Sequence, residues 1–213
     1  STSTLTGVVA VVGILLRMFS RSQGKQHVGD ILLGFAVLMF GMQTMSASVS
    51  PLRESQAFLD LLTTFSNPLL GILAGAGFTA VIQSSSASVG ILQALANSGV
   101  IGLSSAVFVL FGQNIGTCIT AVLASIGTSR SAKRATIIHL MFNMIGTVIF
   151  TFLFIMFPIA HVIDGQIPVA GLSGILPSTP AGQIAMVHTS FNIVPTLLLL
   201  PLGNYLAKAA VRI

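Results

Sequence analysis

Three runs of this chain contain no Asp, Glu, Lys or Arg over lengths that suit a lipid bilayer: Ile31–Val49, Ala135–Phe157 and Ala181–Leu206. A helical span needs ~20 apolar residues, and inside hydrocarbon only helices or closed barrels satisfy their own backbone groups. Charged residues make up 6% of the 213 and hydrophobic ones 54%. Soluble domains carry about 25% charged residues, so this chain cannot cover a water-facing surface. The class that follows is an all-α integral membrane protein. Cys118 is the single cysteine, which excludes an internal disulfide and leaves sidedness to be read from charge. The chain starts without Met, and STSTLTGVVAVVGILLRMFS lacks the basic leader of a signal peptide. It reads as the end of a longer spanning helix, within a longer protein.

Nine basic residues constrain the topology. Arg17, Arg21 and Lys25 follow the first apolar segment, Leu5–Met18. Arg53 follows Val28–Val49, ahead of an amphipathic stretch from Ala57 to Phe65. Arg130, Lys133 and Arg134 follow Val100–Gly127, and Lys208 and Arg212 follow Ala181–Leu206. With the first cluster cytoplasmic, a single crossing by Pro68–Ser98 would strand TSRSAKR outside. If that segment enters and leaves on one face, all three clusters lie inside and only Arg53 is external. Two full spans keep the same parity, but Pro68–Ile82 has only 15 residues, short of the ~20 needed. The segment therefore reads as a re-entrant helical hairpin with QSSS at its tip. Its arms carry Gly71, Gly75, Gly77 and Gly90, which permit close helix packing.

The tip itself, TAVIQSSSASVG (Thr79–Gly90), puts Gln83, Ser84, Ser85, Ser86 and Ser88 in an apolar setting. An unpaired buried hydroxyl or amide costs roughly 1–3 kcal/mol, so this stretch is wet or holds something. The next segment, FGQNIGTCIT (Phe111–Thr120), has a similar polar interruption. It reads as an unwound helix, which is tolerated at that depth only beside protein or an aqueous cavity. Two polar breaks near the midplane point to a transport site; the plainer reading is that Gly and Ser/Thr only pack helices. The spans hold no carboxylate and no Lys or Arg: Asp30, Glu54, Asp60 and Asp164 fall at segment edges or in loops. A bound ion would therefore be held by helix ends, amides and neutral oxygens. The amino end of the helix after Gln83, and a second start at Ile115–Gly116, favour an anion. Hydroxyl and amide oxygens suit a hard cation such as sodium.

QSSSASVGILQALANSG followed by LFGQNIGTCITAVLASIGTS resembles the second repeat of the bacterial sodium/phosphate cotransporters, relatives of the type II sodium-dependent phosphate transporters. GDILLGFAVLMFGMQTMSASVSPLRES, SAKRATIIHLMFNMIGTVIF and IAMVHTSFNIVPTLLLLPLG extend the resemblance over nearly the whole chain. It implies one half of an inverted-repeat transporter, multi-pass in the bacterial inner (cell) membrane, moving inorganic phosphate with sodium as coupling ion and no organic cofactor. Carried over, Gln83, Ser84, Ser85, Thr117 and Thr120 fall to sodium, and Ser86, Asn114 and Ser85 to phosphate. Gln113 and Cys118 depart from the family pattern. Only one QSSS is present, so a complete site requires the first repeat or a second subunit, as in a homodimer. Three stretches are implied: residues 1–66, a truncated helix, a full span and the amphipathic segment; 67–134, hairpin and broken helix; and 135–213, carboxy-terminal spans. A non-transporting scaffold or phosphate-signalling subunit is the alternative.

Other motifs weigh less. GLSG (Gly171–Gly174), with His188 downstream, resembles an intramembrane serine protease only in its letters, because Ser173 lies in a Pro- and Gly-rich loop. The chain therefore reads as no enzyme. His139/Asn143 and His188/Asn192 share i, i+4 spacing and read first as helix-joining hydrogen bonds, worth ~0.6 kcal/mol each. The net charge of +5 is split among short loops without interleaved aromatics, which excludes nucleic acid and leaves orientation in the bilayer as its role.

Overall fold

A computed structural model of the chain describes residues 2–49, 51, 67–166 and 176–212. These divide into two compact units, with the boundary after Val49. Arg53, the amphipathic stretch and the GLSG loop lie outside the described residues.

The first unit pairs α1 (Thr2–Phe19) with α2 (Gln23–Val49). The chain reverses through Ser20–Ser22, where Gln26 Nε2 donates to the Ser20 carbonyl at 2.9 Å. α2 thus begins before Lys25, inside the segment read from sequence as a basic loop. Arg17 Nε stands 3.2 Å from Asp30 Oδ1, with both side chains about half exposed; such a pair contributes at most about 1 kcal/mol. Away from this polar end the surface includes exposed Leu5, Val11, Phe35 and Leu38.

In the second unit, capping residues set the helix limits. Asn67 accepts from the amides of Leu69 and Leu70 and Pro68 occupies the first turn, which starts α3 (Pro68–Ile82). Gln83 ends α3 in the left-handed region at φ 59°, ψ 21°. Ser84 then caps α4 (Ser85–Asn97) by accepting from the Ala87 amide. A turn through Gly99, at φ 69°, leads to α5 (Leu103–Ser125). Ser129 caps α6 (Arg130–Met156), and a short α7 (Ile159–Ile163) follows. Thr179 and Pro180 start α8 (Pro180–Leu199), which runs through a 3₁₀ turn (Leu200–Leu202) into α9 (Gly203–Arg212). Four helical segments among the described residues are long and apolar enough to cross a membrane: Gln23–Met45, Leu103–Ser125, Arg130–Met156 and Pro180–Val211.

α5 is the centre of the second unit, and the expected unwinding across Phe111–Thr120 does not occur: α5 is helical from end to end. Ile115–Gly116 is therefore no second helix start. The glycines serve approach instead. A Cβ on Gly112 would collide with the Ile72 carbonyl of α3, one on Gly116 with the Ala76 carbonyl, and one on Gly75 with the Val109 carbonyl of α5. Contact register rises together along both helices, so α3 and α5 run parallel. α4 returns antiparallel to α5, since only the turn around Gly99 separates them and Gln113 reaches back to Ser88. The two arms, α3 and α4, therefore run in opposite directions, and the Gln83–Ser84 turn lies level with Thr117. Ala181 N donates to Asn97 Oδ1 at 3.1 Å, setting the start of α8 at the same end as the close of α4. Arg130, Lys133 and Arg134 at the start of α6, and Lys208 on α9, lie at the opposite end.

Below the turn lies an aromatic core. Phe111 and Phe191 are fully buried and stacked with centroids 5.5 Å apart, and Phe150 and Phe154 pack edge-on to Phe111. Lipid tails are as apolar as these rings, so close packing rather than escape from water holds this layer.

Candidate functional site

Above the aromatic core, α4, α5, α6 and α8 surround a cavity of about 280 Å³. Ser85 opens α4 at one wall, and Asn114 and Thr117 of α5 form the next. α6 contributes His139, Phe142 and Asn143, and α8 contributes His188 and Asn192. Phe142 is the one apolar side chain in this wall, and none carries a fixed charge.

One local device recurs on three helices. Asn114 donates to the Leu110 carbonyl at 2.9 Å, Asn143 to His139 at 3.0 Å and Asn192 to His188 at 2.8 Å. Each bond spans one helical turn and fixes the amide against its own helix, which leaves the amide oxygen for other partners. Thr117 likewise donates to the Gln113 carbonyl at 2.8 Å, keeping its oxygen lone pairs. Asn143 Nδ2 also approaches Cys118 Sγ at 3.4 Å, tying α6 to α5. Neither imidazole makes a side-chain hydrogen bond among the described residues. The amino end of α4 adds its partial positive charge, roughly half an elementary charge. The walls thus offer N–H donors and a helix end to an anion, and neutral oxygens to a hard cation. Among the described residues no cluster of three His, Cys, Asp or Glu exists to hold a transition metal.

Of the residues expected from sequence, Ser85, Asn114 and Thr117 come together in this wall. Gln83, Ser84, Ser86 and Thr120 contribute nothing to it. Gln83 and Ser86 are exposed at the hairpin turn. Ser84 Oγ accepts from the Ala87 amide and lies 3.4 Å from Ser86 Oγ. Thr120 is exposed on α5 and donates to the Thr117 carbonyl at 2.9 Å. The His/Asn pairs, read first as helix-joining bonds, supply half of the wall; Asn143 does both. Their signal in the sequence is the i, i+4 spacing, repeated in two helices.

Comparison with known proteins gives a family profile described as Na+/Pi-cotransporter, matching residues 39–164. The chain is 34% identical over 198 residues to the uncharacterized protein YqeW of Bacillus subtilis (strain 168), covering 92% of this chain and 60% of that protein. It is 21% identical over 212 residues to the putative inorganic phosphate export protein YjbB of Salmonella typhimurium, covering 99% of this chain and 37% of YjbB. Over a shorter stretch of 81 residues it is 42% identical to the human sodium-dependent phosphate transport protein 2C, covering 36% of this chain and 14% of that one. The chain therefore spans less than two thirds of the length of these relatives. No solved structure matches.

Proposed function

Because the chain belongs to the Na+/Pi-cotransporter family, we propose that it carries half of the pathway for sodium-coupled symport of inorganic phosphate. The observation that carries this reading is the charge-free polar cavity beside the amino end of α4 and the hairpin turn. An anion and a cation bound side by side there offset one another's burial. At an effective dielectric of about 20, unit charges 4 Å apart attract by ~4 kcal/mol. Phosphate is assigned to Ser85, Ser86 and Asn114, with His139 and His188 as further donors. Sodium is assigned to the oxygens of Gln83, Ser84, Ser85, Thr117 and Thr120. The hairpin re-enters the membrane from the face opposite the basic end, and that basic end faces the cytoplasm of a bacterial cell. The opposite half of the site comes from a first QSSS repeat or a second copy of the chain.

Reconstitution in liposomes tests the reading. Radiolabelled phosphate should enter when sodium is high outside, and entry should fall to background when choline replaces sodium. Equal uptake in both conditions would remove the coupling. A second reading, export, has its own support: relatives named as putative phosphate export proteins match 97–99% of this chain. Reversing the sodium gradient separates the two. A symporter reverses its net flux with the gradient, whereas a dedicated exporter moves phosphate in one direction under either.

A further inference from the structure

Three buried side-chain oxygens lie one turn below the hairpin tip without a hydrogen-bond partner: Thr79 Oγ1 of α3, Ser88 Oγ of α4 and Gln113 Oε1 of α5. The residues are 0%, 0% and 2% exposed. They are three of the four such atoms among the described residues, and the fourth, Thr151 Oγ1, is on α6. Other hydroxyls in this unit find a carbonyl: Ser98 bonds to Ala94, Thr117 to Gln113 and Thr136 to Ala132 on their own helices, and Thr147 to Phe111 of α5. Thr79 and Ser88 forgo that ordinary solution.

Their positions place them on three helices that pack on one another. Thr79 stands four residues before Gln83 and Ser88 four after Ser84, so the turn makes them counterparts on two opposed arms. Gln113 reaches between: its Nε2 donates to the Ser88 carbonyl at 3.0 Å, which sets the amide oxygen of the same group beside Ser88. Gly75, one turn before Thr79, packs on the Gln113 backbone, and the Thr79 Cβ packs on Gly116, one turn after Gln113. None of the three lines the cavity described above. Buried polar groups in folded proteins are satisfied by protein, water or an ion, and this cluster contains oxygens of one neutral kind. Calcium and magnesium sites are built on carboxylates, and there is none here. A sodium-sized monovalent cation suits hydroxyl and amide oxygens, with coordination completed by backbone carbonyls or water.

From this cluster we infer a cation site that clamps the two hairpin arms onto α5, separate from the sodium ligands assigned at the tip and in the cavity. Its occupancy fixes the Gln83–Ser84 turn by tying both arms to α5. The site does not depend on transport, and its test uses binding alone.

The full chain is purified into lipid nanodiscs and its unfolding temperature followed as NaCl replaces choline chloride at constant ionic strength. The expected result is a saturable rise with sodium and none with choline. Thr79→Val and Ser88→Ala should each raise the half-saturating sodium concentration about tenfold or more, while Gly77→Ala, on the open side of α3, leaves it unchanged. A sodium response that survives both substitutions unaltered overturns the site, even if the variant of Thr117 abolishes it and the transport reading stands. No saturable response in the unmodified chain also overturns it and leaves the cluster to water. Should either variant fail to fold, hydrogen exchange on the unmodified chain decides. Sodium should specifically slow exchange across residues 79–88, and equal exchange in sodium and choline refutes the clamp.

Discussion

Gln83 occupies a conformation that costs a side-chain-bearing residue roughly 1–2 kcal/mol, and it alone among non-glycine residues described here has a positive φ. Glycine in its place should be neutral to stabilising by up to about 1 kcal/mol in thermal unfolding, while sodium affinity falls if the amide is a ligand. Loss of stability without loss of sodium affinity would make Gln83 a structural residue instead. In the cavity, Asn114→Ala should raise the KM for phosphate about tenfold, a loss of about 1.4 kcal/mol of binding, and His188→Ala less. An unchanged KM in the Asn114 variant removes it from the phosphate set. The polar tip and Asn114 are legible in sequence because such groups are costly in an apolar setting. The cavity role of His139 and His188 is not, because i, i+4 spacing states which face a residue shares and not what that face meets. Thr79, Ser88 and Gln113 are harder still: their significance lies in what they fail to bond.

At the level of elements, the glycines of α5 were open to two readings, unwinding or approach, and the structure chooses approach. Composition cannot separate these, because a glycine that breaks a helix and one that admits a neighbouring carbonyl look alike until the neighbour is known. The difference is measurable. Gly112→Ala forces α5 away from the Ile72 carbonyl and should destabilise by roughly 1–3 kcal/mol, the usual cost of overpacking. Gly77→Ala, on α3 with nothing within 4 Å of the added carbon, should be neutral or stabilise by up to about 1 kcal/mol. Equal thermal shifts for the two would refute the close contact. The helix starts follow residue type, with Asn67-Pro68, Ser84, Ser129 and Thr179-Pro180 all capping. The span expected from Ala135, however, starts as α6 at Arg130, inside the segment read from sequence as a basic loop. The ends are less legible, because Gln83 stops α3 where glycine would be the ordinary choice.

At the scale of the whole molecule, four described basic residues, Arg130, Lys133, Arg134 and Lys208, lie at one end of the second unit, while the described residues at the other end include Asp164. Cys118 is the chain's single cysteine and is buried, so added cysteines report alone. In oriented membranes Ser129→Cys should react with an impermeant maleimide from the cytoplasmic side and Thr179→Cys from the opposite side. Labelling of both from one side would invalidate the topology. In the sequence, charge parity is the argument for the direction of the hairpin; that its first arm runs parallel to α5 is visible only in the structure. The cavity walls bear no formal charge. Empty, this half of the site would carry no formal charge of its own through the membrane field, where each elementary charge is worth about 2.3 kcal/mol per 100 mV. On the reading proposed above, the charge moved through these walls would belong to the bound ions alone, and the current would report their combined charge.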